Sequence, residues 1–364
     1  MSCRFFYICM RYNLHMDKQA FSQRLLKALS LTASIALFLV VVAASFPSIL
    51  TMELSRELDA EAVEKGLSPF PVTVDPKRKI IAESSEVNQL LESPDSPLQA
   101  SALSAGNVAH LVFVWIASAI GNSSAYQSMA SVGSGTGTRF VTITPGMRRE
   151  QVANAFGSVL GWTPAQKKAF LTPAPGHLLP LFEGSFVEGT YTVTKQTTPL
   201  MAQAFVNDRF SEEILAHYST STAAVVPLEQ ALIIASLIER EAGGADDMRL
   251  ISGIIWNRLF LGMKLQIDAT VQYAKASAVT GHGWWPRIVP STDMARKSPY
   301  NTYRNVGLPP GPIASPSVAS VLAALNPKST SCIFYFHDSR QNFHCSETYA
   351  DHVTLLKQYY GRGR

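Results

Sequence analysis

One apolar stretch constrains the fold of this chain more than any other feature. It reads PLEQALIIASLIEREAGG and occupies residues 227–244. Residues 231–238 are apolar on almost every side at the helical period, so the pattern predicts a helix enclosed by other elements rather than one on a surface. Pro227 suits a first helical turn, and the paired glycines Gly243 and Gly244 predict the end of the helix.

Two acids stand at the C-terminal end of this predicted helix, where the helix dipole disfavours negative charge. At 100° per residue, Glu241 falls on the same side as Ile234 and Ile238, whereas Glu239 points well away. Burial and the helix terminus would both favour the protonated form of Glu241, which a general acid requires. The alternative is that both acids are solvated at a helix end.

The composition excludes some classes of protein. Of the 364 residues, 47% are apolar and 16% charged, so most of the chain can pack into a core. The formal net charge is only +4, and part of it comes from the N-terminus, so we predict no nucleic-acid partner. The four cysteines form no C-x-x-C motif, and neither a metal nor a cofactor is predicted.

The N-terminal residues predict a membrane anchor. Residues 1–27 carry five lysines and arginines and one acid, and residues 28–50 contain no charged residue. An uncharged run of this length can cross a bilayer. Basic residues before it and acidic residues after it predict a single pass through the inner (plasma) membrane, with the N-terminus cytoplasmic and the bulk of the chain outside. A cleaved signal peptide is the alternative.

Beyond the anchor, the pattern divides the chain into three parts. Residues 51–137 read as a juxtamembrane linker and membrane-proximal region. Residues 138–220 read as a small α+β module, because two alternating strands and two helix-periodic segments follow one another. Residues 221–364 combine the buried helix, further helices and a hairpin of 332–337 with 342–346. The predicted fold class is therefore α+β.

Five strings follow one another in the last part: ASLIEREAGG, IIWNRLFLGMKLQIDATVQYA, SPYNTYRNVGLPPGPIASPSVASVLAALNP, SCIFYF and NFHCSETYADH. Their order and spacing between Glu229 and His352 resemble the endolytic murein transglycosylases, the YceG-like (MltG) family. The segment TITPGM…EGTYTV and the anchor fit the same family, whose membrane-proximal part is a small LysM-like module. The resemblance implies a LysM-like module at 138–220 and a YceG-like catalytic domain at 221–364.

The resemblance also implies a reaction. The family cleaves nascent peptidoglycan strands between N-acetylmuramic acid and N-acetylglucosamine without water, leaving a 1,6-anhydro end. Its catalytic residue is the second Glu of an E-x-E pair, which here is Glu241. One carboxyl suffices, because it protonates the leaving oxygen and then accepts the proton of the sugar's own 6-hydroxyl. A hydrolytic glycosidase would need a second carboxylate.

Two polar strings supply candidate substrate-binding residues. Gln266 and Asp268 would line a sugar cleft, although Asp268 suits equally well the N-cap of a helix that begins at Ala269. A rigid, proline-rich loop would hydrogen-bond glycan hydroxyls or N-acetyl groups, or tie down its own turn. Its candidates are Tyr300, Asn301, Thr302 and Tyr303.

Glu239 is predicted to be structural, paired with Arg240 or Arg258. The chain departs from the family's usual pattern beside these residues. Ala269 replaces the proline of Q-T-D-P-T-V, and Ala242 replaces the Thr or Ser that usually follows the catalytic Glu. Neither change removes the acid.

Other combinations of residues allow different sites. Trp284 and Trp285 either stack on sugar rings or form a hydrophobic plug beneath a long loop. A hydrolase triad of Ser346, His344 and Asp338 lacks the G-x-S-x-G motif that would support it. A metal site can be drawn from scattered ligands, but their spacing matches no zinc-finger pattern. These ligands are Cys332, His337, His344, Cys345 and His352.

The sequence permits a disulfide between the two C-terminal cysteines but does not decide whether it forms. If the hairpin turns about Asp338 and Ser339, Cys332 lies opposite Cys345, and a small adjustment would allow a bond. If it turns about Ser339 and Arg340, the pair becomes diagonal and too distant. Two free thiols are the alternative.

Two classes of function remain. The first is a membrane-anchored lytic transglycosylase. The second is a non-catalytic wall-binding scaffold associated with peptidoglycan synthases (penicillin-binding proteins). The partners in both cases are peptidoglycan glycan strands and the lipid bilayer. Glu241 distinguishes the two classes, since a scaffold gives no reason for an acid on that helix face.

Overall fold

The computed structural model describes residues 69–93, 96–98, 137–173, 182–278 and 283–361. All of these residues belong to one unit of the chain, Glu61–Arg364, whereas the unit Met1–Ala60 lies outside them. The anchor predicted at residues 28–50 is therefore outside the described residues. Within the described residues, no helix combines the length and the apolar character needed to cross a membrane.

The described chain is mixed α+β, which confirms the predicted class. Its first half contains β1 (Val74–Asp75), β2 (Ile80–Ile81), α1 (Ser85–Glu92), β3 (Thr138–Ile143), α2 (Arg149–Leu160), α3 (Pro164–Phe170), β4 (Gly189–Thr194) and α4 (Pro199–Glu213). A 3-10 turn (Leu215–His217) and α5 (Thr220–Val225) lead to α6 (Leu228–Glu241). The second half continues with α7 (Ala245–Phe260), α8 (Asp268–Ala278), α9 (Pro290–Asp293), α10 (Val318–Leu325), β5 (Phe334–His337), β6 (Phe343–Ser346) and α11 (Tyr349–Tyr360).

The sheets of the described residues are small. Each is a two-stranded antiparallel pair, formed by β1 with β2, β3 with β4, and β5 with β6. Two-stranded pairs are not stable alone in water, so they depend on the helices that cover them. The helices therefore supply most of the core.

The predicted buried helix is α6, and the prediction of its burial is confirmed. Every residue from 231 to 238 is buried, and the helix packs against α7, α8 and α10. The hydroxyl of Ser236, which lies in this core, donates to Ile233 O (2.7 Å) and accepts from Ile313 N (3.0 Å). The helix ends at Glu241 because Ala242 is extended, two residues before the first predicted glycine stop.

A βααβ unit stands where the small α+β module was predicted. The strands β3 and β4 pair from Thr138↔Thr194 to Ile143↔Gly189, α2 packs against β3, and α3 packs against both α2 and α4. This unit has its own core, which includes Phe156, Phe170 and Phe186. Helix α3 was not predicted, although its start carries a local signal: the Thr163 hydroxyl accepts from Gln166 N (3.3 Å).

The turn at Pro145 and Gly146 joins this unit to the loop before α10. Gly146 N donates to Ser315 O (2.8 Å), and Ser315 N donates in return to Met147 O (2.7 Å). Gly146 has a φ of +78°, and a Cβ there would lie 3.0 Å from the Arg240 guanidinium. Glycine suits this position because it readily adopts a positive φ and because it has no Cβ that would crowd the Arg240 guanidinium.

Part of the predicted juxtamembrane linker and membrane-proximal region at 51–137, residues 69–93, packs against the core that contains α6. Phe70 and Val74 are buried in the same core as α6. Thr73 N donates to Leu325 O (3.1 Å), and Asn326 Nδ2 donates to Pro71 O (2.7 Å). The alternating apolar residues of FPVTV explain this packing, because one side of an extended segment is then apolar.

The hairpin of β5 and β6 has a register that neither predicted turn gives. Cys345 lies opposite Tyr335, and the loop between the strands is held by the Asp338 carboxylate, which accepts from Asn342 N (2.9 Å). Cys332 and Cys345 nevertheless form a disulfide, with their Cα atoms 5.8 Å apart. Cys332 precedes β5, so the strand register does not fix its position. The inference that only direct opposition permits the bond was wrong.

The last helix, α11, was not predicted. It begins after Thr348, whose hydroxyl accepts from Asp351 N (3.1 Å), and it covers one face of the hairpin. Its contacts are aromatic, with the Phe334 ring 5.5 Å from His352 and the His344 ring 4.0 Å from Tyr359.

Candidate active site

The carboxyl of Glu241 lies where three elements meet at the end of α6. The hydroxyl of Tyr335, in β5, donates to Glu241 Oε2 (2.9 Å). The backbone N–H of Ala269, in the first turn of α8, also donates to this carboxyl. The positive end of α8 therefore faces the acid and offsets the unfavourable C-terminal end of α6.

Burial nevertheless dominates the proton affinity of Glu241. The pKa of this carboxyl is raised to about 7, mainly by burial and to a smaller extent by the nearby charge of Asp268. The hydrogen bonds from Tyr335 and Ala269 and the neighbouring His337 act in the opposite direction and lower the pKa. At neutral pH the site therefore holds substantial fractions of both protonation states of one acid, as proton transfer in both directions requires.

Gln266 and Asp268 are exposed beside this acid, while Leu265, Ile267 and Ala269 are buried beneath them. Asp268 is the first residue of α8 and accepts a hydrogen bond from Tyr303 Oη (2.6 Å) at Oδ1. Gln266 has a φ of +52°, an uncommon conformation for a residue with a side chain. The chain thus turns both polar side chains outward at the edge of the site.

The loop predicted to bind substrate divides into exposed and buried members. Asn301 and Thr302 are buried, and the Asn301 amide donates to Met294 O (3.0 Å) and Arg296 O (2.8 Å). Thr302 Oγ1 accepts from Ile267 N (2.9 Å) and so ties the loop to the start of α8. Tyr300 and Tyr303 are partly exposed. Tyr303 thus contacts Asp268 beside Glu241, Tyr300 packs against Tyr273, and Asn301 and Thr302 lie beneath the loop.

Glu239 points away from this cleft. Its Oε2 accepts from Ser317 N (3.0 Å) and Ser317 Oγ (2.6 Å) at the start of α10. It forms no ion pair with Arg240 or Arg258, both of which the structure describes. Glu239 therefore links the end of α6 to the start of α10.

Two residues of β5 were missed as site residues. Tyr335 binds Glu241, and His337 Nε2 contacts Asp247 Oδ2. Asp247 also accepts from Gly243 N (3.0 Å) and so holds the chain that follows Glu241. A period of two places Tyr335 and His337 on one face of the strand. That alternation was present in SCIFYFH, but nothing in the sequence says which face meets α6.

Arg258 connects the two chain segments that lead into β5 and α8, the elements that contact Glu241. It is buried, and its guanidinium donates to Ile333 O (2.6 Å) and Leu265 O (2.6 Å). These bonds join the segment before β5 to the segment before α8. The two elements that bind Glu241 are thus tied to a single side chain.

The other combinations of residues have different roles. His344 Nε2 lies 3.1 Å from Asp338 Oδ2, but Ser346 Oγ donates to Thr348 O (3.3 Å), so no hydrolase triad forms. Trp285 stacks on Arg240, with the guanidinium carbon 4.2 Å from the ring centre, and Trp284 lies 5.6 Å from Arg148 in the same way. Cys332 and Cys345 are bonded to each other, so they cannot serve as thiolate ligands for a metal.

Comparison with known protein families gives a match to the part of the chain that contains these elements. The model of the YceG-like family matches residues 116–358, which is more than half of the chain. The matched range contains α6, the 298–305 loop and β5. All the residues that surround Glu241 therefore lie within it.

Two relatives carry the name endolytic murein transglycosylase. The protein of Streptococcus pneumoniae is 29% identical over 159 residues, covering 43% of this chain and 28% of the relative. The protein of Bacillus subtilis is 37% identical over 134 residues, covering 37% of this chain and 35% of the relative. The matched segment thus spans about a third of the length of each relative.

A solved structure agrees with the fold. The crystal structure of a YceG-like protein from Listeria monocytogenes superposes with a TM-score of 0.50 and 25% sequence identity. The superposition covers 59% of this chain and 75% of that protein. The likeness therefore extends over more than half of the chain.

Proposed function

The chain belongs to the YceG-like family, and from this premise we propose that it is a lytic transglycosylase of peptidoglycan with Glu241 as its catalytic acid and base. The observation that carries the proposal is the position of Glu241. Its carboxyl is buried enough to hold a proton near neutral pH, and it lies beside the exposed Asp268 and the partly exposed Tyr303. The names of the two relatives support the same reaction.

The reaction needs one acid and no water. Protonated Glu241 donates its proton to the oxygen that joins N-acetylmuramic acid to N-acetylglucosamine, and the bond from that oxygen to the muramic acid C1 breaks. The muramic acid 6-hydroxyl then bonds to C1, and its proton passes to the Glu241 carboxylate. The 1,6-anhydro ring closes, and the acid returns to its starting form.

The neighbours of Glu241 suit both halves of this cycle. Once the proton has left, the Tyr335 hydroxyl and the Ala269 N–H stabilise the carboxylate. The negative charge of Asp268 would stabilise the positive charge that develops at C1. Gln266, Tyr300 and Tyr303 would contact the glycan, whereas Asn301 and Thr302 hold the loop in shape.

The products test this function. Peptide-free glycan strands incubated with the purified full chain should yield fragments with 1,6-anhydro ends, lighter by one water than hydrolysis products. Mass spectrometry distinguishes the two. Fragments with ordinary reducing ends would contradict the lytic reaction, and intact strands would favour the scaffold.

We further propose that the chain is anchored in the membrane by residues 28–50, with a LysM-like module at 138–220 and the catalytic residues outside the cytoplasm. The Cys332–Cys345 disulfide supports this location, because disulfides persist mainly in oxidising compartments. Protease added to intact spheroplasts should degrade residues 221–364. Protection of this part would contradict the topology.

The pKa of Glu241 predicts how activity depends on pH. The free enzyme needs a protonated acid, so kcat/KM should be level below about pH 7 and fall about tenfold per pH unit above it. Initial rates on one glycan preparation between pH 5 and about 9 measure this profile. A rate that rises through pH 7 would contradict the assignment of Glu241 as the acid.

Ala269→Pro provides a sharper variant of this test. Proline is tolerated in a first helical turn but has no N–H, so the substitution removes one bond to Glu241 without changing any catalytic side chain. Because that bond lowers the pKa of Glu241, the alkaline fall in kcat/KM should move to higher pH. Ala269→Ser retains the N–H and is the matched control. An identical profile for both variants would show that the N–H does not act on the acid.

A further inference from the structure

Asp247, in the first turn of α7, binds the chain that directly follows Glu241. Its Oδ1 accepts from Gly244 N (3.3 Å), which is an ordinary way to cap the start of a helix. Its Oδ2 accepts in addition from Gly243 N (3.0 Å), two residues after the acid. The carboxylate therefore also fixes the direction in which the chain leaves α6.

His337 connects the same carboxylate to β5. Its Nε2 forms a hydrogen bond with Asp247 Oδ2, and its main-chain oxygen accepts from Tyr360 Oη in α11. Tyr335, which donates to Glu241 Oε2, lies two residues earlier on the same face of the strand. The acid is thus held in a closed circuit, which runs through these side chains and returns along the main chain that follows the acid.

The His337 ring packs closely on this main chain. A Cβ at Gly243 would lie 3.1 Å from His337 Nε2 and 3.4 Å from Asp247 Oδ2, so a side chain there would crowd both groups. The pair is also largely enclosed, with 16% of the His337 side chain and 9% of the Asp247 side chain exposed. Breaking a bond between enclosed polar groups leaves one of them without a partner, so the bond restrains both residues.

His337 also acts on Glu241 through its charge. The titratable and charged groups that interact with Glu241 from the elements around it are Arg240, Arg258, Asp268, Tyr303, Tyr335 and His337. Burial raises the pKa of Glu241, and the charge of a protonated His337 lowers it. Among the described residues, the acids that interact with His337 are Asp247 and Glu241.

We propose that His337 and Asp247 are positioning residues, which hold the Glu241 carboxyl and the Tyr335 hydroxyl in the geometry that proton transfer to the glycan needs. The inference rests on the proposed function for the identity of the acid. Neither residue touches the glycan in this role. His337 acts through the strand that bears Tyr335, and Asp247 acts through the main chain after the acid.

Replacing His337 by Phe tests the proposal. Phe keeps a ring in the hairpin but removes the bond to Asp247, so kcat on soluble glycan strands should fall about a hundredfold. KM should change by less than about threefold, because Gln266, Asp268 and Tyr303 stay in place. His337→Gln restores a donor to Asp247 and should bring kcat to within about fivefold of the parent.

His344→Phe is the matched control. His344 also pairs with a carboxylate in the same hairpin, with its Nε2 3.1 Å from Asp338 Oδ2, but it lies outside the circuit around Glu241. Its kcat should stay within about twofold of the parent. An equal loss in His337→Phe and His344→Phe would assign the effect to the hairpin as a whole and overturn the proposal.

A second variant covers the case in which His337→Phe does not fold, which circular dichroism would reveal. Asp247→Asn keeps an oxygen for Gly244 N and removes the negative charge that holds His337, so kcat should fall about tenfold with KM almost unchanged. A kcat equal to that of the parent in a folded His337→Phe, or in Asp247→Asn if the first variant does not fold, would overturn the proposal.

Titration of Glu241 separates this result from the proposed function. Carbon NMR of the full chain in detergent, with labelled glutamate carboxyls, measures the pKa without substrate, and Glu241→Gln identifies the signal. The pKa of Glu241 should rise in His337→Phe, because a positive charge is removed. If the parent cleaves glycan and a folded His337→Phe cleaves it as fast, the positioning role is wrong and the function stands. If the parent cleaves nothing while the pKa still rises, the contact of His337 with Glu241 stands and the proposed function falls.

Discussion

Replacing Glu241 by Gln should lower the rate of glycan cleavage by about a thousandfold. The amide retains the shape of the side chain and still accepts a hydrogen bond from Tyr335, but it cannot deliver a proton to the leaving oxygen. Quantifying anhydro ends released per unit time from one glycan preparation measures the effect. Cleavage at the parent's rate would exclude Glu241 as the acid.

Glu239→Gln is the matched control, because it changes an acid two residues away on the same helix. Glu239 binds Ser317 rather than facing the cleft, and an amide oxygen still accepts from Ser317, so most activity should remain. A loss as large as that of Glu241→Gln would show that both acids serve the reaction.

The stability of Glu241→Gln should also differ from that of the parent in its dependence on pH. The folded pKa of about 7 lies above the ordinary value of about 4.3, so the folded state holds a proton that the unfolded state has released. That contribution is complete below about pH 4 and is lost as the pH rises through about 7. The Gln variant lacks it, so urea unfolding should show the parent losing stability relative to the variant across this window.

Replacing both Cys332 and Cys345 by Ser should lower the free energy of unfolding by about 3 kcal/mol. The bond closes a short loop, with a sequence separation of 13, and so restricts the unfolded chain. The hairpin inside that loop carries Tyr335 and His337, so activity should be lost at lower urea concentrations than in the parent. Urea unfolding followed by fluorescence and by residual cleavage measures both effects.

Counting thiols checks the bond itself. In a chain whose Cys3 and Cys9 are changed to Ser, the unfolded and unreduced protein should show no reactive thiol. Its mass should be lower by two hydrogens than after reduction. Two reactive thiols would show that the bond is absent, and the double serine variant should then be nearly as stable as its parent.

Local patterns in the sequence predicted much of the fold. Helical periodicity indicated α6 and its burial. The same periodicity predicted that the side chains of Glu239 and Glu241 point in different directions. In the structure Glu239 contacts Ser317 and Glu241 contacts Tyr335. Such features depend on residues a few positions apart, which a sequence displays directly.

Features that depend on distant residues could not be predicted in this way. The bond from Tyr335 to Glu241 joins positions 94 residues apart. The register of β5 and β6 follows from the loop between them, in which the Asp338 carboxylate accepts a hydrogen bond from Asn342 N. In this register Cys345 lies opposite Tyr335 and not opposite Cys332. The Ala269 N–H is a backbone donor that becomes a site group only because α8 points at α6.

The reciprocal bonds between Ser315 and the turn at Gly146 and Met147 affect how this chain can vary. Both bonds use main-chain atoms, so most side-chain replacements at Met147 or Ser315 leave the two donors and the two acceptors in place. Adding or deleting one residue in either segment would instead shift every partner along the chain. The contact between these two segments should therefore tolerate the replacement of side chains but not a change in the length of either segment. A βααβ unit transplanted into this chain would function only if the number of residues on each side of this contact were retained.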